Sequence, residues 1–276
     1  MFRTIRACIS LTHPWAVAVV MLATALFGVL AASGDVPLGR FLLLLGGMLG
    51  GQIAIGASNE WIDREADALD KPQRPIPAGR ISSLAALLLA GTGLLLMFAC
   101  GVALGMWGLL LLVTGTGCGL LYNVWLKRTP WSWLPYLVAL PLLPTWVWLV
   151  MDGFQPQLLW LYPLGAAFVV AIHLSQILPD IHADGSRGEH GIGVVVGRQR
   201  AGRLIWVAAL GSTVAVAVGG LLTSERALPA LVASTVVALL LLAGMLGGER
   251  FQTHLFKLLT SCAVILATGW IVTVTA

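Results

Sequence analysis

The sequence predicts an all-α membrane protein with nine transmembrane helices in a single bundle. Three observations predict it: too few charges for a soluble domain, apolar blocks of bilayer length, and a one-sided distribution of the basic residues. Of 276 residues, 58% are hydrophobic and only 10% are charged, where soluble domains carry about 25% charged residues. The apolar blocks fall near residues 15–33, 38–57, 83–101, 104–121, 134–151, 158–178, 203–222, 227–247 and 255–275. Each is close to the roughly 20 helical residues that cross a bilayer. None alternates as a membrane β-strand does; Leu94-Leu95-Leu96-Met97-Phe98 is apolar all round. Helices remain, because they satisfy their own backbone hydrogen bonds in lipid.

The first block follows Arg3 and Arg6 without a small-residue cleavage site, so it reads as a span and not a leader. The third and fourth blocks are joined by a very short link. Cys8, Cys100, Cys118 and Cys262 lack metal-type spacing and read as small packing residues. Trp131, Trp133, Trp146, Trp148 and Trp160 are expected at the membrane interfaces. The net charge of +4 records membrane orientation and not nucleic-acid binding.

With nine spans, one side carries Arg3, Arg6, Arg64, Lys71, Arg74, Arg80, Lys127, Arg128, Arg187, Arg198, Arg200, Arg203, Arg250 and Lys257. The other side keeps Arg40 and Arg226, two of the sixteen Lys and Arg. The positive-inside rule then puts the N-terminus and the charged loops in the cytoplasm, and the C-terminus outside, in the cell inner membrane. All acidic residues except Asp35, Asp152 and Glu225 share the cytoplasmic face. Any site is expected there.

Two acidic motifs carry the chemistry. In the loop after the second block, Asn59, Asp63 and Asp67 stand four apart, which on a helix makes one stripe. Such hard oxygen ligands suit Mg²⁺, which takes one or two carboxylates and keeps positions for water and substrate phosphates. Glu60 and Glu65 are placed off that stripe, and Asp70 at the helix end. Pro72, Pro75 and Pro77 forbid further helix. Lys71, Arg74 and Arg80 are spaced to neutralise diphosphate oxygens. After the sixth block, Asp180 and Asp184 repeat the four-residue spacing, and Gly185, Gly188, Gly191 and Gly193 favour a backbone turning closely around a ligand. Arg187 reads as a further candidate phosphate contact; His182 and His190 read as loop hydrogen-bonders because Mg²⁺ prefers oxygen. Between the motifs, Lys127 and Arg128 read either as ordinary membrane anchors or as diphosphate contacts, the second with Tyr122 offering a hydroxyl or π-face to a developing cation. The four-span offset of the motifs suggests one domain over 1–276 with a pseudo-repeat of helices 1–4 and 5–8 plus a ninth.

Asn59-x-x-x-Asp63-x-x-x-Asp67, followed by Arg74-Pro75-Ile76-Pro77-Ala78-Gly79, resembles the first signature of the UbiA superfamily of intramembrane prenyltransferases. Asp180-x-x-x-Asp184 with Gly188 is similar to its second. Three positions depart from the pattern. Tyr122 and Lys127 stand one residue further apart than the family's Tyr-x-x-x-Lys. Gly191 replaces a frequent Ser or Thr, and the amide Gln176 precedes the second pair by four.

The resemblance implies prenyl transfer from a polyprenyl diphosphate to an acceptor, inside a cytoplasm-facing apolar cavity. Asn59, Asp63, Asp67, Asp180 and Asp184 are then the Mg²⁺ ligands, and these four Asp with Tyr122 the catalytic residues. Asn59, Lys71, Arg74, Lys127, Arg128 and Arg187 are the diphosphate contacts. The acceptor is read as an aromatic or related lipid-pathway molecule. The stretch from Asp63 to Ser82 also resembles the chlorophyll-synthase and glyceryl-ether branches, and some members cyclise the donor instead. A transporter needs ionisable groups at several depths; the apolar blocks contain almost no ionisable residues, His173 being an exception, and the acidic groups gather at one face.

Overall fold

The computed structural model describes residue 11, residues 13–248 and residues 254–275; Arg3, Arg6, Cys8 and Arg250 lie outside the described residues. Nine helices among the described residues are long and apolar enough to cross a membrane. They are α1 (Pro14–Ala32), α2 (Leu38–Asp70), α3 (Ser83–Ala103), α4 (Met106–Val124), α5 (Leu134–Met151), α6 (Leu161–Ile177, whose span Pro156–Ile177 takes in the turn before it), α9 (Arg198–Thr223), α10 (Leu228–Leu246) and α11 (Leu255–Thr275). A 3₁₀ turn, Pro156–Trp160, leads into α6. Two short helices, α7 (Ile181–Ser186) and α8 (Ile192–Val196), fill the loop before α9. The protein is an integral membrane protein, and the nine apolar blocks of the sequence correspond to these helices within a few residues, save where α2 and α9 run on into charged sequence.

Local chemistry explains several boundaries. Pro14 opens α1, where a missing N–H costs nothing. The Ser82 side chain caps α3 by accepting from the Ala85 N–H at 3.1 Å. α2 stops at Asp70, two residues before Pro72.

The chain divides into two compact units. The first holds Met1–Lys127 and Leu142–Phe154, the second Arg128–Pro141 and Gln155–Ala276. In the first unit α2 and α3 touch through backbone. A Cβ on Gly50 would lie 2.6 Å from the Gly93 carbonyl oxygen and from the Met97 nitrogen, and one on Gly93 would lie 2.7 Å from the Gly50 oxygen. Small residues are what permits such contact in lipid, where apolar burial does not drive helices together. Gly50→Ala is therefore expected to lower the yield of monodisperse detergent-solubilised protein sharply, whereas Gly91→Ala, whose Cβ meets nothing within 4 Å, leaves it unchanged in size-exclusion chromatography. In the second unit Gly269 plays the same part, its absent Cβ leaving room for Ala233 and the Pro229 carbonyl.

Two of the tryptophans expected at interfaces are core residues. Trp146 and Trp148 are each 2% exposed; the Trp146 indole donates to the Gly108 carbonyl at 2.8 Å, and Trp148 packs on Phe27. A satisfied N–H lets an indole sit inside the protein instead of at the headgroups. Trp131 and Trp160 do keep more than half their surface exposed. Cys100 and Cys262 are buried free thiols and Cys118 a half-buried one, consistent with packing.

Candidate active site

The first acidic motif rides on the end of α2. At 1.5 Å per residue its 33 residues reach about 50 Å, beyond the roughly 30 Å of hydrocarbon. Its last turns therefore stand clear of the apolar layer. Asn59, Asp63 and Asp67 follow one another up a single face of it. At 3.6 residues per turn, Glu60 lies about 100° round from Asn59, beside the meridian of Asp67 at about 80°. The structure accordingly corrects the placement of Glu60 off the stripe. Its side chain is 1% exposed, and Arg74 Nη1 donates to its Oε1. Glu60 Oε2 is buried with no hydrogen-bond partner. Glu65, by contrast, is exposed and pairs with Arg64 at 2.8 Å.

The Arg74 contact fastens the proline-rich loop to the helix. Within the loop Arg74 N–H donates to Lys71, Ala78 to Arg74 and Arg80 to Pro75, and the Arg80 guanidinium donates to the Gln73 carbonyl. Gly79 takes φ +66°, the left-handed conformation that closes the turn. Ile76 and Ile81 anchor the loop against Leu11, Trp61, Ala86 and Leu89. Beside it, His13 Nε2 lies 3.5 Å from the Asn59 amide nitrogen. Desolvation by its surroundings and then the Arg74 guanidinium hold the His13 imidazole down at about 4. It is thus neutral at pH 7, with a ring nitrogen able to accept from Asn59.

The turn after α4 brings a cation to the stripe. Lys127 Nζ pairs with Asp63 Oδ1, both side chains largely covered. The buried Asn123 makes this register: its amide donates to the Ile55 carbonyl at 2.8 Å and to Ser58 Oγ at 3.1 Å, on the turn of α2 just before Asn59. Tyr122 is half-buried in the last turn of α4. The first unit therefore contains Asn59, Asp63, Asp67, Lys71, Arg74, Tyr122 and Lys127.

The second unit contains Arg128, Asp180, Asp184 and Arg187. α6 ends at Ile177, Asp180 stands at the N-terminus of α7, and Asp184 is within α7. Arg187 Nη2 donates to Asp184 Oδ1 at 2.5 Å and its Nε to Glu189 Oε1 at 3.3 Å. Arg128 Nε lies 3.9 Å from the same Glu189 oxygen. Arg198 Nη1 donates to the Leu178 carbonyl at 2.8 Å, fixing the start of α9 to the end of α6. Of the four glycines, Gly188 alone takes a positive φ, +73°. Gly193 serves packing: a Cβ there would meet Ile177 and Ile181 at 2.9 Å. His182 and His190 are exposed.

Deeper along α6, the wholly buried His173 places Nε2 2.9 Å from Ser132 Oγ. The Tyr136 hydroxyl donates to Gln176 Oε1 at 2.6 Å. Among the described residues no three His, Cys, Asp or Glu side chains converge as a closed metal cage. What Asn59, Asp63 and Asp67 supply is an open set of carboxylate and amide oxygens with Lys127 beside it, a donor set that suits a hard cation such as Mg²⁺. Glu60, Asn123 and Glu189 are the residues that sequence reasoning missed. For Glu60 the helical angle itself was the signal; for Asn123 and Glu189 no local pattern announces a partner.

The pattern of the UbiA prenyltransferase family matches residues 20–273. A 118-residue stretch is 40% identical to the bacteriochlorophyll synthase 33 kDa chain of Rhodobacter capsulatus, covering 40% of this chain and 38% of that one. Another, of 121 residues, is 36% identical to protoheme IX farnesyltransferase of a Jannaschia species, over 40% of this chain and 37% of the relative. The matched stretches thus span well under half of these relatives' lengths. The fold is similar to that of a UbiA homolog from Aeropyrum pernix, with TM-score 0.74 and 21% identity over 92% of this chain and 96% of that one. It is also similar to a UbiA homolog from Archaeoglobus fulgidus bound to GPP and Mg²⁺, with TM-score 0.70 and 16% identity over 98% and 100% of the two chains. With its family pattern matched over nearly its whole length and its helices arranged as in those homologs, this chain belongs to the UbiA prenyltransferase family.

Proposed function

We propose that the protein transfers a prenyl group from a polyprenyl diphosphate to a membrane-soluble acceptor, with Mg²⁺ as cofactor. The observation that carries this is the stripe Asn59–Asp63–Asp67 with Lys127 on Asp63, oxygen ligands and a cation presented together at a helix end beyond the apolar span. Family membership and the Mg²⁺ and GPP in the Archaeoglobus fulgidus homolog support it. The sorting of Lys and Arg supports a cytoplasmic site, a cytoplasmic N-terminus and an external C-terminus in the cell inner membrane.

In this reading Asn59, Asp63, Asp67, Asp180 and Asp184 hold Mg²⁺, which supplies charge neutralisation at the diphosphate when bound. Lys71, Arg74, Lys127, Arg128 and Arg187 hydrogen-bond the diphosphate oxygens as they gain negative charge. The ion pairs of Lys127 with Asp63 and of Arg187 with Asp184 keep those side chains extended at the motifs until a diphosphate arrives to share them. The allylic C–O bond breaks and its electron pair leaves with the diphosphate. The acceptor's nucleophilic atom then bonds to the allylic carbon and gives up its proton, with Tyr122 beside the cation. Apolar helices exclude the water that would otherwise capture it.

The acceptor has two readings. An aromatic ring suits the broad family chemistry. A tetrapyrrole is favoured by the matched relatives, two of them named bacteriochlorophyll synthase and one protoheme IX farnesyltransferase. Purified protein supplied with Mg²⁺, geranylgeranyl diphosphate and a panel of aromatic, tetrapyrrole and glyceryl acceptors is expected to yield one prenylated product by mass spectrometry. A cyclised hydrocarbon, or flux in liposomes without any product, would overturn prenyl transfer.

A further inference from the structure

We infer that His13 is a positioning residue for Asn59, accepting a hydrogen from its side-chain amide so that the amide oxygen is left to the metal; the inference rests on the Mg²⁺ and diphosphate reading above. His13 stands out first by its backbone. Among the described residues only it and Ser33 take a positive φ without being glycine, at 51° and 48°. Ser33 follows the last turn of α1, where the left-handed conformation is routine. His13 stands at the other end, at the N-cap position, where an extended backbone and a side chain returned to the first N–H groups are the rule. It has neither: its ψ is 70° and its side chain makes no capping bond.

A histidine adopts this conformation more readily than most residues, at a cost that persists only where surrounding contacts hold it. Here those contacts lie on α2, 46 residues along the chain. Nε2 lies 3.5 Å from Asn59 Nδ2 and 3.7 Å from Glu60 Oε1. The two are not equal partners. Glu60 Oε1 already accepts from Arg74 Nη1, and it stands beyond hydrogen-bond reach of the ring. The Asn59 side chain has no other hydrogen-bond partner among the described residues. Burial and then the Arg74 guanidinium keep the imidazole neutral, so it has one bare nitrogen and one N–H. With Nε2 bare, the Asn59 amide donates to it, and the oxygen on the other arm of that amide is turned from the ring.

That orientation matters because an amide has two unlike ends. Its oxygen is a hard ligand that suits Mg²⁺, whereas its NH₂ group only donates hydrogen bonds. The two orientations differ by a half-turn about a soft torsion, so an amide without a partner presents its oxygen only part of the time. A ring nitrogen that accepts the N–H removes the unproductive orientation before any cation arrives, as hydrogen-bonded neighbours do for metal ligands generally. Asp63 and Asp67 need no such help, since either oxygen of a carboxylate serves. Asn59 is the one amide of the stripe, and it is Asn59 against which the His13 ring is set.

The test uses the full-length protein in lipid nanodiscs, free of metal and with its histidine ring nitrogens labelled with ¹⁵N. The His13 signals, identified by their loss in His13→Gln, are expected to show a bare Nε2 whose shift moves in Asn59→Ala. A proton on Nε2 in the wild type would overturn the inference. Mn²⁺ binding, read by electron paramagnetic resonance with geranyl diphosphate present, is the second measurement. His13→Leu is expected to weaken it about 10-fold, and His13→Gln, whose side-chain oxygen accepts the same N–H, to restore most of it. In an Asn59→Ala background His13→Leu should add no further loss. Wild-type affinity in the Leu variant, equal losses in the Leu and Gln variants, or full additivity with Asn59→Ala would show that His13 only anchors α1, and would overturn this inference alone. No diphosphate-dependent Mn²⁺ binding by the wild type would overturn the Mg²⁺ reading with it.

Discussion

Asp63→Asn is expected to lower prenyl transfer about a thousandfold, the range seen when one preorganised electrostatic contact is lost from an active site. Asp63 occupies the middle of the Asn59–Asp67 stripe and is the residue that Lys127 meets. The amide keeps the shape of the side chain and removes its charge, so two things change together. A hard oxygen ligand weakens, and Lys127 loses the partner that orients it toward the diphosphate. The apparent affinity for Mg²⁺, from rate against metal concentration, should fall at least about 10-fold, as is usual when one member of a metal site's hydrogen-bonded set is removed. Glu65→Gln is the matched control, because Glu65 is exposed and pairs with Arg64 away from the stripe. Wild-type turnover in Asp63→Asn, or an equal loss in Glu65→Gln, would remove the stripe from the mechanism.

The second large effect is on stability. Arg74→Met is expected to destabilise the protein by about 2 kcal/mol, because it removes the donor to the buried Glu60 carboxyl and leaves that group unsatisfied. The stranded group is Glu60, which is 1% exposed and already has one oxygen without a hydrogen-bond partner. The converse change is milder. Glu60→Gln leaves an amide oxygen to accept from Arg74, and Arg74, being 30% exposed, still reaches solvent. The double variant Glu60→Met/Arg74→Met should recover most of the loss, since two apolar side chains of similar length leave no unpaired group. Tryptophan-fluorescence unfolding in one detergent, run on the wild type, Glu60→Met, Arg74→Met and the double variant, gives the cycle. Additive losses in the double variant would mean that the two side chains act separately. The same pair connects stability to function, because Arg74 ties the loop bearing Lys71 to the helix bearing Asn59, Asp63 and Asp67.

Elements that depend on short-range chemistry were legible in the residues alone. Blocks near 20 apolar residues had to become membrane-crossing helices, because lipid leaves the backbone no other partner. Pro72 had to end α2 within two residues, and four-residue spacing had to align Asn59, Asp63 and Asp67 on one face. The family signatures were legible for the same reason: each is a local run of residues on one helix and its following loop.

Pairings between residues distant along the chain emerged only in the folded molecule. Nothing near Asn123 foretells that its amide ties α4 to the Ile55 carbonyl and so sets Lys127 on Asp63. Nothing near Glu189 foretells its place between Arg128 and Arg187. Trp146 and Trp148 were misplaced for a further reason. Lipid tails are as apolar as a protein core, so hydropathy separates membrane from water but not lipid-facing surface from interior. Glu60 shows both limits at once. Its angle on α2 was written in the sequence, yet its burial became known only when Arg74, fourteen residues on, folded back to meet it.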